Sequence, residues 1–183
     1  YHVNDSVSIV KDEELRKELN SQLFLSKYTV DVAIARIADG HTITRSITTD
    51  IDSYLKRNGL KREDVYIANI VKCRPPQNRD PYPDEQAACI SFLDAQIHCL
   101  KPKMILCLGR ISSHKLLNTE EALGKLRGNF FEYNGIPLLV TYHPSALLRN
   151  EELKRPAWED LKLFKTKLLE LAPDYAANFK NPL

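Results

Sequence analysis

Apolar positions fall into short dense runs separated by longer amphipathic stretches, and that alternation predicts the elements. Residues 65–71 are β-branched and aromatic, bounded by charge, and read as a buried strand with one polar residue, Asn69, inside it. Residues 103–108 form an apolar strand ended by Gly109. Residues 136–142 form another, which delivers His143, Pro144 and Ser145 at its C-terminal end. Helical spacing covers 84–100, opened by Asp84 and Glu85 and stopped by Lys101 and Pro102. A short helix spans 111–117, a helical turn 146–149, and a final helix 155–171 with Trp158, Leu161 and Phe164 on one face. Residues 126–128 and 130–133 read as extended, with a turn at Asn134 and Gly135.

The first third is less regular. A mixed-charge helix is expected at 12–19 and a strand beginning at 23–25. Residues 29–37 and 41–48 both alternate, and Asp39 and Gly40 between them make a hairpin turn, so 29–48 reads as a β-hairpin. Thr49 and Asp50 cap a helix that Asn58 and Gly59 stop. The tail after Pro173 is expected to be loose.

Strands that alternate with helices predict an α/β fold, a parallel-rich sheet between helical layers. Such sheets bind ligands beyond the C-terminal ends of their strands. Asn69 and His143 both fall there, read as the tips of neighbouring strands. Between 71 and 84 the chain runs through Lys72, Cys73 and Arg74, then Pro75 and Pro76, which end the strand and stiffen the loop. A polar turn at 78–81 follows, and Cys89 lies one turn into the next helix. An amide and a thiol beside a rigid basic loop serve packing poorly and mark a site.

Composition adds bounds. The 183 residues suit one domain, 1–183, with 43% hydrophobic and 27% charged residues, as in ordinary globular chains. No apolar run is long enough to span a membrane and no signal peptide is visible, so a cytoplasmic protein is expected. The chain opens on Tyr1 rather than Met, so an N-terminal piece is expected to be missing. The six glycines are never grouped, which excludes a glycine-rich phosphate loop. Net charge is only +2, yet Lys56, Arg57, Lys61, Arg62, Lys72, Arg74 and Arg79 crowd one span and offer a phosphate-binding face. Of four cysteines, Cys107 reads as a small buried hydrophobe and Cys99 is ambiguous. Cys73 and Cys89 flank the proline loop and are the candidates for a metal or cluster. In a reducing compartment none is expected in a disulfide.

Three runs carry a resemblance: GLKREDVYIANIVKCRPPQNRDP at 59–81, TYHPSALLR at 141–149 and KRPAWEDL at 154–161. Together they resemble the family 4, iron–sulfur type uracil-DNA glycosylases, over about residues 50–171. The resemblance implies a three-layer α/β/α sandwich on a mainly parallel four-stranded sheet. It implies hydrolysis of the bond joining uracil to deoxyribose in DNA, as in base excision repair. Asn69 would hold the flipped uracil, and His143 would stabilise the departing base. Cys73 and Cys89 would be ligands of a [4Fe–4S] cluster. In the turn at 146–149, Leu147 would enter the gap left by the base, while Ser145 and Arg149 meet the DNA.

The residue chemistry agrees. One amide offers a donor to uracil O4 and an acceptor to N3–H, and cytosine presents the opposite pattern. A donor aimed at O2 stabilises the anion that leaves. Taken singly, Asn69 satisfying a strand end and His143 capping the next turn are the more ordinary readings; together, inside matched motifs, they reverse that preference. The family's opening features are not matched. Its Gly-Glu-Ala-Pro-Gly loop, which holds the attacking water, and the following segment with a stacking Phe would fall near Val30 and Ile43, and residues 28–33 and 40–45 differ. Asp31 and Asp39 are the nearby carboxylates. The family's first C-x-x-C counts back to His2 and Asp5, so two of four cluster cysteines are absent and residues 1–48 diverge. The expected partner is uracil-containing DNA, single- or double-stranded, met by a monomer. The alternative is a weak or inactive relative that binds uracil-containing or single-stranded DNA without cleaving it.

Overall fold

The computed structural model describes residues 32–36, 65–73 and 75–173. The helices expected at 12–19 and 49–58, the extended runs at 23–25 and 41–48, and the tail after Pro173 lie outside the described residues. So do His2, Asp5, Asp31, Asp39 and Arg74.

Among the described residues five strands form one sheet in the order β2-β1-β3-β5-β4. They are β1 (Val32–Arg36), β2 (Val65–Asn69), β3 (Met104–Leu108), β4 (Phe130–Tyr133) and β5 (Ile136–Thr141). β2, β1, β3 and β5 run parallel, as the expected four-stranded sheet requires. The fifth strand, β4, is antiparallel to β5. It arises because Asn134, at φ 51°, and Gly135, at φ 78°, close a two-residue hairpin whose left-handed positions suit those residues.

β1 lies inside the run expected to be a strand at 29–37, but not in a hairpin. Both its edges are taken by parallel neighbours, β2 and β3, which leaves no edge for an antiparallel partner from 41–48. The turn at Asp39 and Gly40 was a local signal, whereas a parallel pairing partner lies tens of residues away and leaves no local trace.

The helices are α1 (Pro83–Leu100), α2 (Arg110–Leu117), α3 (Leu123–Leu126), α4 (Pro144–Arg149) and α5 (Lys154–Leu171). They cover both sheet faces. Met104, Leu106, Leu108 and Leu139 pack against Leu161, Phe164 and Leu168 of α5. The alternate residues Ile105, Cys107, Leu138 and Val140 pack with Ala68 against Leu93 and Ile97 of α1, Leu116 of α2 and Leu126 of α3. β3 is buried at every position, as a central parallel strand must be when both faces are covered.

The register places the site. Ala68, Ala35, Cys107 and Val140 form one continuous row across the sheet. One step further along lie Asn69, paired with Arg36, and Leu108, paired with Thr141. Asn69 therefore ends β2 at the level where β5 ends in Thr141, and Gly109 and His143 lie just beyond.

Candidate active site

Asn69 and His143 share the C-terminal edge of the parallel sheet, but not neighbouring strands. β1 and β3 stand between β2 and β5. Three interstrand spacings put those tips roughly 14 Å apart. That span suits two side chains reaching toward one planar ring between them, each with a hydrogen bond of about 2.9 Å. The sequence could not give this order, because it depends on where β1 inserts.

Asn69 is half-buried, and its Oδ1 is shielded from solvent with no hydrogen-bond partner among the described residues. Its backbone carbonyl accepts from Lys72 Nζ at 2.9 Å, and the same ammonium donates to Gln96 Oε1 at 2.8 Å. The turn after β2 is thus tied to α1. A buried acceptor left empty costs about 1–3 kcal/mol, so a ligand that donates to it is favoured by that margin.

His143 caps α4, the ordinary role foreseen for it: Nδ1 accepts from the Ser145 amide at 3.1 Å. The Ser145 hydroxyl lies 2.7 Å from the same nitrogen. An Nδ1 that accepts from an amide carries no proton, so the neutral ring holds its proton on Nε2. Nε2 is itself shielded from solvent. Capping and donating are therefore one arrangement rather than rival roles. Gly109 sits against the ring's root. Its φ is +86°, and a Cβ built there would stand 3.0 Å from His143 Cβ. Its amide donates to Thr141 O at 2.9 Å, tying the tip of β3 to that of β5.

The turn from 144 to 149 departs from expectation in two places. Leu147 faces inward at 4% exposure, while Leu148 stands out at 56%. The large apolar side chain this turn leaves exposed is Leu148. Ser145 is directed at His143 rather than outward. Arg149 is exposed in the last turn of α4, as its expected contact requires.

The loop from 75 to 82 is braced internally. Arg79 pairs through both terminal nitrogens with Glu85, at 2.8 and 2.7 Å, and lies 3.7 Å over the Tyr82 ring. The Arg79 bonds, joined by the Tyr82 amide, hold the Glu85 carboxyl at about 2. Asp80 accepts from Arg110 at the start of α2. Within the basic span, Lys72 and Arg79 are thus engaged inside the fold, which takes two members from the expected phosphate-binding face.

Cys89 lies at the same junction. Its sulfur accepts from the Lys72 amide at 3.4 Å, and Cys73, the next residue, is exposed. Cys107 is buried on β3, where desolvation pushes its thiol up to about 12, so it is the inert hydrophobe expected. Cys99 is half-buried. Among the described residues no group of three or more His, Cys, Asp or Glu is placed to hold a metal ion.

One further contact beside the site leaves no local trace along the chain. Thr141 Oγ1 donates at 2.7 Å to Asp160 Oδ2, and Arg127 grips both oxygens of the same carboxylate. The KRPAWEDL run marked α5 but not what its Asp faces.

This geometry meets a family model. Residues 36–162 match that of the uracil DNA glycosylase superfamily. The chain belongs to that superfamily. It is 46% identical over 118 residues to the type-4 uracil-DNA glycosylase of Saccharolobus solfataricus, covering 60% of this chain and 55% of that one. It is 45% identical over 116 residues to the type-4 enzyme of Thermotoga maritima, covering 61% and 60%. To that of Sulfurisphaera tokodaii it is 40% identical over 136 residues, covering 67% and 61%. The chain thus spans between 55% and 61% of these relatives' lengths. All three matched sequence runs centre on the edge that carries Asn69 and His143 or on the helix behind it. No helix among the described residues is long and apolar enough to cross a membrane.

Proposed function

We propose that this superfamily member is a uracil-DNA glycosylase of the type-4 kind, hydrolysing the N-glycosidic bond of deoxyuridine in DNA. The observation that carries it is the shielded Oδ1 of Asn69, without a partner among the described residues, at the same sheet edge as an imidazole whose proton is on Nε2. Oδ1 accepts uracil N3–H while the amide nitrogen donates to O4. Cytosine, with an acceptor at N3, would leave two lone pairs facing each other. As the C1′–N1 bond breaks, its electron pair moves into the base and charge gathers on O2, where the His143 Nε2–H donates. Water adds to C1′ and gives up a proton, leaving uracil and an abasic deoxyribose. Flipping the base costs a few kcal/mol. Leu148 offsets that by filling the vacated stack, with Arg149 on a nearby phosphate.

Cys73 and Cys89 fit half of a four-thiolate cluster set. Cys89 accepts from the amide of Lys72, the residue before Cys73, so the two thiols stand at one loop–helix junction. They would hold two irons of a [4Fe–4S] group; Cys99 and Cys107 are the other cysteines of the sequence, so residues 1–64 offer no further thiolate and His2 and Asp5 are the candidate ligands there. The bound group would cross-link the loop after β2 to α1.

Release of uracil from single- and double-stranded oligonucleotides tests the reading. Release above that of His143→Ala is expected, and its absence sinks the enzyme. A second reading, binding without cleavage, is favoured by residues 28–33 and 40–45, which lack the family's water-holding loop. Tight binding to uracil DNA with no release would establish it. Equal affinity for uracil and thymine DNA would argue against any base pocket. Iron analysis and an absorption spectrum on protein purified without oxygen decide the cluster: four irons per chain would establish it, and a colourless protein would leave only a thiol pair.

A further inference from the structure

We propose that Asp160, clamped by Arg127, is a positioning residue for His143, acting through the Thr141 hydroxyl; this rests on the uracil-excision reading. The buried face of α5 is apolar at Ala157, Leu161, Phe164 and Leu168, and Asp160 interrupts it at 0% exposure. Burying a carboxylate with its cation rarely beats an apolar pair of similar volume, so stability alone is a weak reason for the pair. Its geometry supplies a better one. Oδ2 takes the Thr141 hydroxyl at 2.7 Å and Arg127 Nε at 3.0 Å, and Oδ1 takes the Arg127 terminal nitrogen. Arg127 also donates to Pro156 O at 2.6 Å, so the clamp is anchored on α5 at two points.

The loop that carries Arg127 is shaped around the carboxylate. Gly128 has φ +72°, and a Cβ there would meet Asp160 Oδ1 at 3.0 Å. Its amide donates to Val140 O at 3.1 Å, gripping β5 one residue before Thr141. The Arg127 guanidinium lies 5.6 Å from the Tyr142 ring, so the clamp reaches the residue before His143. With Gly109 bonded to Thr141 O on the other side, the end of β5 is held from two directions. Two residues on, the His143 backbone follows directly from this anchored segment, while Ser145 holds its ring from the other side. A displacement of about 1 Å at a reacting group can cost about 100-fold in rate, so this anchoring matters to the chemistry.

Thr141→Val is the test, because it keeps the shape and removes only the hydroxyl donor. Single-turnover uracil release is expected to fall about 10- to 100-fold, with KM nearly unchanged. In the His143→Ala background the same change is expected to cause no further loss, since both act through one group. Asp160→Asn, if it folds, should repeat the pattern. Nitrogen-15 spectra of the imidazole give a readout independent of activity: one Nε2–H tautomer in the unaltered chain, and a shifted or averaged signal in Thr141→Val. An unchanged ring signal overturns the proposal, as do losses that add in the double variant. If the unaltered chain releases no uracil, the excision reading fails on its own, and the ring signal still decides the positioning.

Discussion

The two ends of the sheet are built to opposite standards. At the end where β3 and β5 begin, a cleft of about 450 Å³ is lined by Asp94, Ile97, His98, Lys101, Pro102, Asn134 and Ile136. Its carboxylate is met from within: Asp94 Oδ1 accepts from the Tyr133 hydroxyl at 2.6 Å and from Asn134 Nδ2 at 3.3 Å. Desolvation and the Asp94 bond both push the Tyr133 phenol up, which keeps it neutral as the donor. At the other end Asn69 keeps an acceptor shielded and without a partner among the described residues. The difference teaches that an open volume is a weaker sign of chemistry than an unsatisfied polar atom. At the first end the half-buried carboxylate already has its donors, whereas at the second a shielded acceptor has none among the described residues.

The sharpest way to break this comparison is His143→Ala. Uracil release should fall about 100- to 1,000-fold in single-turnover assays, as for loss of a charge-stabilising donor, with DNA affinity little changed. Asn69→Ala should cost about 100-fold in uracil release, because a site built to hydrogen-bond one base loses both contacts. Its thermal midpoint should move less than that of Tyr133→Phe, since the buried oxygen has no partner among the described residues to lose. A midpoint collapse would mean Asn69 is structural.

Leu147 and Leu148 separate scaffold from contact. Leu147→Ala should lose about 2–5 kcal/mol of stability in denaturant titrations. Leu148→Ala should leave stability within about 0.5 kcal/mol while lowering release from duplex more than from single strands. At the first end, Tyr133→Phe should cost about 1 kcal/mol and leave uracil release intact. The smallest effect belongs to the brace at Arg79 and Glu85. With the Glu85 carboxyl lowered from 4.5 to about 2, its contribution is present above pH 4.5 and fades as the pH falls toward 2. The midpoint difference between the unaltered chain and Glu85→Gln should therefore shrink across that window and stay flat above it.

Much of this was legible in the chain. The buried strands announced themselves by apolar density, and the structure bounds them at Val65–Asn69, Met104–Leu108 and Ile136–Thr141, within a residue or two of expectation. α1 was framed by Asp84 and Glu85 at its start and by Lys101 and Pro102 at its end, and α5 by the helical spacing of Leu161 and Phe164. The placement of β1 was not legible, because a parallel partner is chosen by distant sequence while a turn at Asp39 and Gly40 is written locally. Nor could the chain say which of two adjacent leucines faces outward, since on a helix of one and a half turns that depends on how it docks. The Thr141–Asp160–Arg127 contact was hidden for the same reason. It joins residues 33 and 19 positions apart through space alone.

The bare backbone at Gly109 has a consequence for anyone who would reshape this protein. Its φ disfavours every side chain, and even a methyl group would press on the root of the imidazole. Two independent obstacles at one position leave no gentle first step: the smallest change jolts the ring before it can add anything of its own. Mutant libraries that reshape this sheet edge should hold that locus fixed and spend their diversity around the tip of β2, where Asn69 stands.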